Sequence, residues 1–304
     1  MVLSSAALLA GLMSCAVLVG CPVAAVVPPT SLMEPLGFSD RCQRGGIRRS
    51  LREILAASGT DKYWRHGFHR YYERELAPYR DLKGVRILEI GGASPSLRAW
   101  LDYFSAPMLV QGIAFMPSPE ERLSACASME ERLCSLVDLR HVDQANLTAL
   151  DEFAAADPDG WDVIIDDGSH VPLHMLSSFK RLFPRLRPGG LYIIEDIETS
   201  YVDHLSEPKA WIHKGSAVER FKDLVDVVNR GHFLHADFTA FGREVDADIV
   251  RVAFGQNVVF VEKRPDEDDW HQVYPNPSWF SGKTSFETTV RRMEARLNDG
   301  EPIP

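Results

Sequence analysis

From residue 85 onward the chain alternates between two hydrophobic rhythms. Val85–Ile90, Met108–Phe115 and Asp162–Asp166 are short, largely aliphatic runs, and such runs bounded by turn formers read as strands. Leu136–Leu139 is a weaker strand candidate. Between them, Leu97–Phe104 and Leu147–Ala155 carry apolar residues at helical spacing. Leu173, Leu176, Phe179, Leu182, Phe183 and Leu186 repeat that spacing until Pro188-Gly189-Gly190, which predicts a helix stop. Leu191–Ile194 follows as a strand, so Asp162 to Glu195 is one βαβ repeat. Strands alternating with helices predict a mainly parallel sheet covered on both faces. Near the end, Ile249–Phe254 and Val258–Glu262 are separated by Gly255-Gln256-Asn257 alone. So short a connection forces a hairpin, and one of its strands is antiparallel. The expected architecture is α/β: a doubly wound, mainly parallel seven-stranded sheet ending in an antiparallel hairpin.

Upstream, Leu51–Ala57 reads as a short helix and Tyr63–Tyr79 as one aromatic-rich amphipathic helix. Pro28–Ser39 has no clear period and suits a linker. Val2–Val27 carries no charged residue; at ~1.5 Å per residue it is long enough to cross a hydrocarbon core of ~30 Å. The same stretch fits a secretory signal peptide ending near Ala24 and Ala25. Leu18-Val19-Gly20-Cys21 resembles a lipobox without its basic flank, and a start near Met33 would remove the segment. The division expected is residues 1–30 as signal peptide or membrane anchor, 31–58 as linker and short helix, 59–265 as the main domain and 266–304 as a tail with a helix at Ser285–Leu297. A secretory or membrane-anchored location follows if the leader targets, a cytoplasmic one if it does not.

Charge narrows the partners. A formal net charge of −10 over 304 residues argues against a nucleic-acid-wrapping protein. The cluster Arg41, Arg44, Arg48, Arg49 and Arg52 is local and reads as a flank. Five cysteines form no CxxC pair, so neither a metal-ligand spacing nor a disulfide framework is visible. Asn146-Leu147-Thr148 is a glycosylation sequon, usable only in a secretory lumen.

The candidate chemistry lies where strands end in acids: Asp166-Asp167 after one strand, Glu195-Asp196 after the next. In an open parallel sheet ligands bind at the carboxyl ends of the strands. Neighbouring strands lie roughly 4.8 Å apart, so these carboxylates converge on a small volume. They cannot share it ionised without a neutralising cation, and an all-oxygen donor set suits Mg²⁺. Asp167, Glu195 and Asp196 are the preferred ligands. The competing reading makes them helix caps or solvated loop acids. His170, just past the Gly168 turn, has the chemistry of a general base, with a Zn-type ligand or a loop residue as its alternatives. His174 reads as packed or at the surface.

Gly59–Glu73 ("GTDKYWRHGFHRYYE"), Ile87–Gly92 ("ILEIGG"), Val142–Leu150, Asp162–His170 ("DVIIDDGSH") and Leu186–Tyr201 ("LRPGGLYIIEDIETSY") occur in the order found in one family. Over Gly59 to Lys263 the chain resembles the S-adenosylmethionine-dependent, Mg²⁺-dependent sugar O-methyltransferases of macrolide biosynthesis. The resemblance implies the Rossmann-like class I methyltransferase fold. It also implies methyl transfer to a hydroxyl of a chelated diol on a small-molecule or glycan acceptor. It matches Asp167, Glu195 and Asp196 to the metal ligands and His170 to the base. It places Gly91, beside Glu89, against the cofactor's methionine part, and Asp143 and Gln144 on its adenosine side, with Asp166 in support. Two positions depart from the family pattern. Pro95 stands in the first loop without the second spaced glycine, and Ala114 replaces the acid that grips the ribose, leaving Glu120 or Glu121 as substitutes. These departures support a rival reading as a pseudoenzyme or binding module with a weakened cofactor site. Cephalosporin hydroxylase-like proteins share the metal motif and supply a third reading, a metal-dependent enzyme of other chemistry. Acceptor contacts fall in Ser200–Asn229 and the tail, where no motif is recognisable. No pattern in the chain fixes an oligomeric state.

Overall fold

The computed structural model describes residues 48–92, 94–115, 134–201, 216–229 and 239–266. In chain order the elements are α1 (Leu51–Ser58), α2 (Asp61–Trp64), α3 (His69–Glu75), β1 (Val85–Ile90), α4 (Ser94–Tyr103), β2 (Pro107–Ala114), β3 (Val137–His141), α5 (Leu147–Ala156), β4 (Trp161–Asp166), α6 (Pro172–Leu182), β5 (Leu186–Glu195), α7 (Ala217–Asn229), α8 (Arg243–Asp246), β6 (Ile249–Gly255) and β7 (Val258–Lys263). The sheet order is β3-β2-β1-β4-β5-β7-β6. Its strands pair in parallel except that β7 runs against both β5 and β6. This is the mainly parallel sheet with an antiparallel end that the strand and hairpin pattern implied, and the class I methyltransferase arrangement that the resemblance implied.

Period-two alternation sorts the strand residues into two cores. Leu88, Ile90, Ile164, Tyr192, Ile194, Val259 and Val261 face α5, α6 and α7, where Phe153, Phe179, Leu182, Phe221 and Leu224 meet them. Val85, Ile87, Val163, Ile165, Leu191, Ile193, Val258 and Phe260 face the other way, onto Leu51, Ile54, Leu55, Phe68, Tyr72, Leu97 and Trp100. The helix α1, grouped with the linker from sequence, is therefore part of the packed domain. Ser50 and Glu53 start it with a reciprocal capping box.

The expected single helix from Tyr63 to Tyr79 is three pieces. Gly67 at φ +64° breaks it between α2 and α3, and Pro78 turns its end into a 3₁₀ turn at Ala77–Tyr79. Pro188-Gly189-Gly190 is not a stop before a strand but lies within β5. There the pairing with β4 jumps from Trp161↔Leu186 to Val163↔Leu191, a bulge that absorbs the proline. Pro95 lies in the first turn of α4, where a missing N–H costs nothing. Cys134 is disulfide-bonded, which the cysteine spacing did not indicate. Among the described residues no helix is long and apolar enough to cross a membrane. The leader 2–27, Glu120, Glu121 and the helix expected at Ser285–Leu297 lie outside the described residues.

Candidate active site

Strand register assembles the site. Ile90 pairs with Asp166 and Asp166 with Ile194, so Gly91, Asp167 and Glu195 emerge side by side at the carboxyl end of the sheet. This is also where the order reverses, since β1 has β2 on one side and β4 on the other. Gly91 has φ +77°, and a Cβ there would run into the Asp167 carbonyl oxygen. Its glycine requirement thus comes from the approach of the β1 and β4 loops. On the far side, Glu195 pairs with Val258 in β7, which brings the turn residue Asn257 next to Asp196. Asn257 Nδ2 donates to Asp196 Oδ1 at 2.8 Å, and Asn257 Oδ1 accepts from the Glu198 N–H at 2.8 Å.

Asp167, His170 and Asp196 each offer a ligand atom within 4.8 Å of the others. His170 Nε2 lies 3.6 Å from Asp196 Oδ2 and 3.9 Å from Asp167 Oδ1. Those separations are too long for hydrogen bonds, which leaves Nε2, among the described residues, open to take a proton. Both His170 and Asp196 sit at positive φ, 56° and 54°, a conformation that costs a non-glycine residue about 1 kcal/mol or more and tends to cluster at functional sites. His66 Nδ1 stands 3.0 Å from Asp196 Oδ1. Asp196 therefore has a histidine against each oxygen, and His66, Asp196 and Glu198 form a second overlapping donor group. Burial pushes the Asp196 carboxyl up to about 6, against the opposing pull of His66.

The convergence of carboxylates expected from sequence is present, and part of its neutralisation is internal. Lys62, from α2, is 1% exposed. Its Nζ lies 2.6 Å from Asp167 Oδ2, 2.8 Å from both Glu195 oxygens and 3.1 Å from Glu89 Oε1. Burial alone would lower the ammonium pKa, but Asp167, Glu195 and Glu89 together hold it well above its ordinary value. The Tyr72 hydroxyl also donates to Glu195 Oε1. Burial and the neighbouring Asp167 raise the Glu195 carboxyl well above the carboxylate range, with Lys62 opposing them. Glu195 thus reaches the site's edge already held by Lys62 and Tyr72, while Asp167 and Asp196 turn toward His170.

The residues assigned to the cofactor side serve more internal roles than the resemblance implied. Glu89 is fully buried, accepting from Trp100 Nε1 at 2.8 Å as well as facing Lys62. The Gln144 amide is spent inside the protein. Its Nε2 donates to Asp166 Oδ1 and Ser178 Oγ, and its Oε1 accepts from the Ser169 N–H. Asp166, 1% exposed, is raised by burial to about 7. These side chains brace the loops after β1 and β4 from behind. Asp143 is half-buried and accepts from the Ala145 N–H. Ala114 closes β2 without an acid, and Phe115 beyond it is exposed. His174 accepts or donates through Nδ1 to Ser169 Oγ at 2.8 Å.

Lys62, His66, Tyr72 and Asn257 have no assigned role in the sequence reading, although the first three lie inside the "GTDKYWRHGFHRYYE" stretch. A lysine and a histidine four residues apart, on a segment otherwise rich in aromatics, are the available signal. A separate cavity of about 600 Å³, lined by Arg74, Glu75, Tyr79, Gly189, Arg251 and Glu262, lies at the opposite end of the sheet. Its charged groups pair with one another, so it carries none of this chemistry.

The carboxylates of Asp167 and Asp196 fit a hard divalent cation, with the His170 imidazole beside them, and the Gly91 loop lies at the sheet's reversal point, where a nucleotide-like cofactor fits this fold. No family model matches the chain. It is 34% identical over 227 residues to the 8-demethyl-8-alpha-L-rhamnosyl tetracenomycin-C 2′-O-methyltransferase of Streptomyces olivaceus, covering 70% of this chain and 54% of that protein. It is 31% identical over 238 residues to the mycinamicin VI 2″-O-methyltransferase of Micromonospora griseorubida, covering 73% and 55%. Among solved structures it matches the MycE methyltransferase from the mycinamycin biosynthetic pathway, in complex with Mg, SAH and mycinamycin VI. That match has a TM-score of 0.60 and 30% identity, over 76% of this chain and 58% of the other. The chain spans about half the length of the curated relatives it matches.

Proposed function

We propose that this chain is a class I S-adenosylmethionine-dependent O-methyltransferase, similar at 31–34% identity to the relatives named above, and that it methylates a hydroxyl of a sugar or related polyol with Mg²⁺ as second cofactor. The observation that carries the reading is the placement of His170 Nε2 within 4 Å of both Asp167 Oδ1 and Asp196 Oδ2, at the reversal point of a methyltransferase sheet. The named relatives are O-methyltransferases of a rhamnosyl tetracenomycin-C and of mycinamicin VI, which supports a small-molecule glycoside as acceptor.

When bound, the two cofactors supply a sulfonium methyl as electrophile and a Lewis acid that lowers the pKa of an acceptor hydroxyl. Asp167 and Asp196 would hold the metal, with Glu195, both of whose oxygens face Lys62, behind them. His170 Nε2 takes the acceptor's proton. Asn257 and His66 fix the Asp196 carboxylate, and the buried Gln144–Asp166 pair holds the loop that carries His170. Gly91 shapes the cofactor loop. Ala114 leaves the ribose hydroxyls without a strand-end acid, so cofactor affinity rests on the remaining contacts of the loops after β1 and β3.

Calorimetry of the purified chain with S-adenosylmethionine in the presence of Mg²⁺ reads that affinity directly. A dissociation constant between micromolar and submillimolar is expected, in the usual range for enzyme ligands. No binding at millimolar cofactor would overturn the methyltransferase reading in favour of a binding module. A panel of glycosides with labelled methyl donor then identifies the acceptor. The leader at 2–27 carries the further proposal of a secretory or membrane-anchored location, tested by cell fractionation of the full chain against one lacking that stretch.

A further inference from the structure

A buried lysine is unusual because its charge has lost its water, and Lys62 is not explained by the methyl-transfer chemistry itself. It approaches from α2, on the core face opposite α6, and reaches three strand ends at once. Glu89 belongs to β1, Asp167 follows β4 and Glu195 closes β5. An ammonium has three N–H donors and no acceptor, and here those donors face Asp167 Oδ2, the Glu195 carboxylate and Glu89 Oε1 at 2.6 to 3.1 Å. With Tyr72 also on Glu195 Oε1, the rotamer of Glu195 is set by donors rather than by solvent. Asp167 is held through Oδ2, which leaves Oδ1 as the oxygen that faces His170.

We infer that Lys62, assisted by Tyr72, is a positioning residue for the divalent cation: it ties the Glu195 carboxylate and Asp167 Oδ2 together behind the site, so that Asp167 Oδ1 is the oxygen presented. The inference rests on the reading of this cluster as a metal site. It makes a prediction of opposite sign to simple electrostatics. Removing a positive charge from beside a cation site should tighten cation binding by Coulomb's law. Removing an orienting partner should loosen it, because groups that hold metal ligands typically contribute 10- to 100-fold in affinity.

The test is Mg²⁺ titration by calorimetry, with the metal alone as probe, on the full chain and on Lys62→Met and Tyr72→Phe, whose folding is checked by circular dichroism. Mg²⁺ affinity is expected to fall by about 10-fold or more in K62M, and by less, in the same direction, in Y72F. Unchanged or tighter binding in a folded K62M, with normal binding in the unsubstituted chain, overturns the positioning role and leaves the metal site standing. Failure of the unsubstituted chain to bind Mg²⁺ overturns both. Should K62M not fold, Y72F decides: it keeps the ring and its packing, so undiminished Mg²⁺ affinity in that variant overturns the inference.

Discussion

At the scale of single residues, the site depends on backbone conformations that side chains ordinarily avoid. Gly59 and Gly91 have nearly equal φ, +80° and +77°, but a Cβ at Gly59 meets nothing within 4 Å while one at Gly91 meets the Asp167 carbonyl. Gly59→Ala should therefore cost only the conformational term, roughly 1–2 kcal/mol. Gly91→Ala adds a backbone collision and should cost at least about 3 kcal/mol. Urea denaturation of the two variants checks the difference, and equal losses would mean that the β1 and β4 loops are free to separate. His170 poses a different residue-level question, because it stands among the metal-donor groups as well as in the base position. With His170 as base, H170A should lose methyl transfer by 10²-fold or more while Mg²⁺ affinity stays within a few-fold. A large loss of Mg²⁺ affinity would instead make His170 a ligand.

At the scale of elements, legibility followed the locality of the signal. The strands and the closing hairpin could be read because period-two runs and a three-residue connection are local facts. The acid-ended strands could be read for the same reason, and parallel pairing then brought Asp167 beside Glu195. Lys62, His66 and Tyr72 could not, because their partners Glu89, Asp167, Glu195 and Asp196 lie at strand ends distant in sequence. The aromatic period from Tyr63 to Tyr79 looked continuous, and the left-handed turn at Gly67 that aims α2 and α3 separately carries no periodic signature. Gln144 was legible as a motif residue, but its partners Ser178 and Asp166 come from other elements. α3 is also tied to the far end of the sheet. Glu75 accepts from Arg251 of β6 at 2.6 Å and from Arg74. Burial opposes its ionisation, yet the two arginines outweigh that and hold its carboxyl below the ordinary value of 4.5. A carboxylate with a lowered folded pKa contributes stability that is fully present above the unfolded pKa and is lost as pH falls through the folded one. Stability should thus decline below about pH 4.5 more steeply in the native chain than in Glu75→Gln. Denaturation curves between pH 6 and 3 test this, and parallel declines would remove the linkage.

At the scale of the whole molecule, the candidate site is a junction. It draws on α2, β1, β4, β5 and the β6–β7 turn, so a cation bound there binds elements from both cores and has no counterpart in the unfolded chain. A ligand that binds only the folded state stabilises it by mass action, about 2.7 kcal/mol at a concentration 100 times its dissociation constant. For a domain of this size each kcal/mol moves the unfolding midpoint by roughly 2–4 °C, so saturating Mg²⁺ should raise it by roughly 5–10 °C. EDTA should return the midpoint to its starting value. The shift, rather than the absolute midpoint, is the measure, since Asp167→Asn and Asp196→Asn change the starting stability by altering the Lys62 and Asn257 contacts. Each variant should lose most of the Mg²⁺-dependent shift, whereas Asp143→Asn, in the loop after β3 and outside the donor groups, should keep it. A shift retained in D167N and D196N would place the stabilising cation elsewhere on an acidic surface of net charge −10, and would separate the stability of this fold from the chemistry of its strand ends.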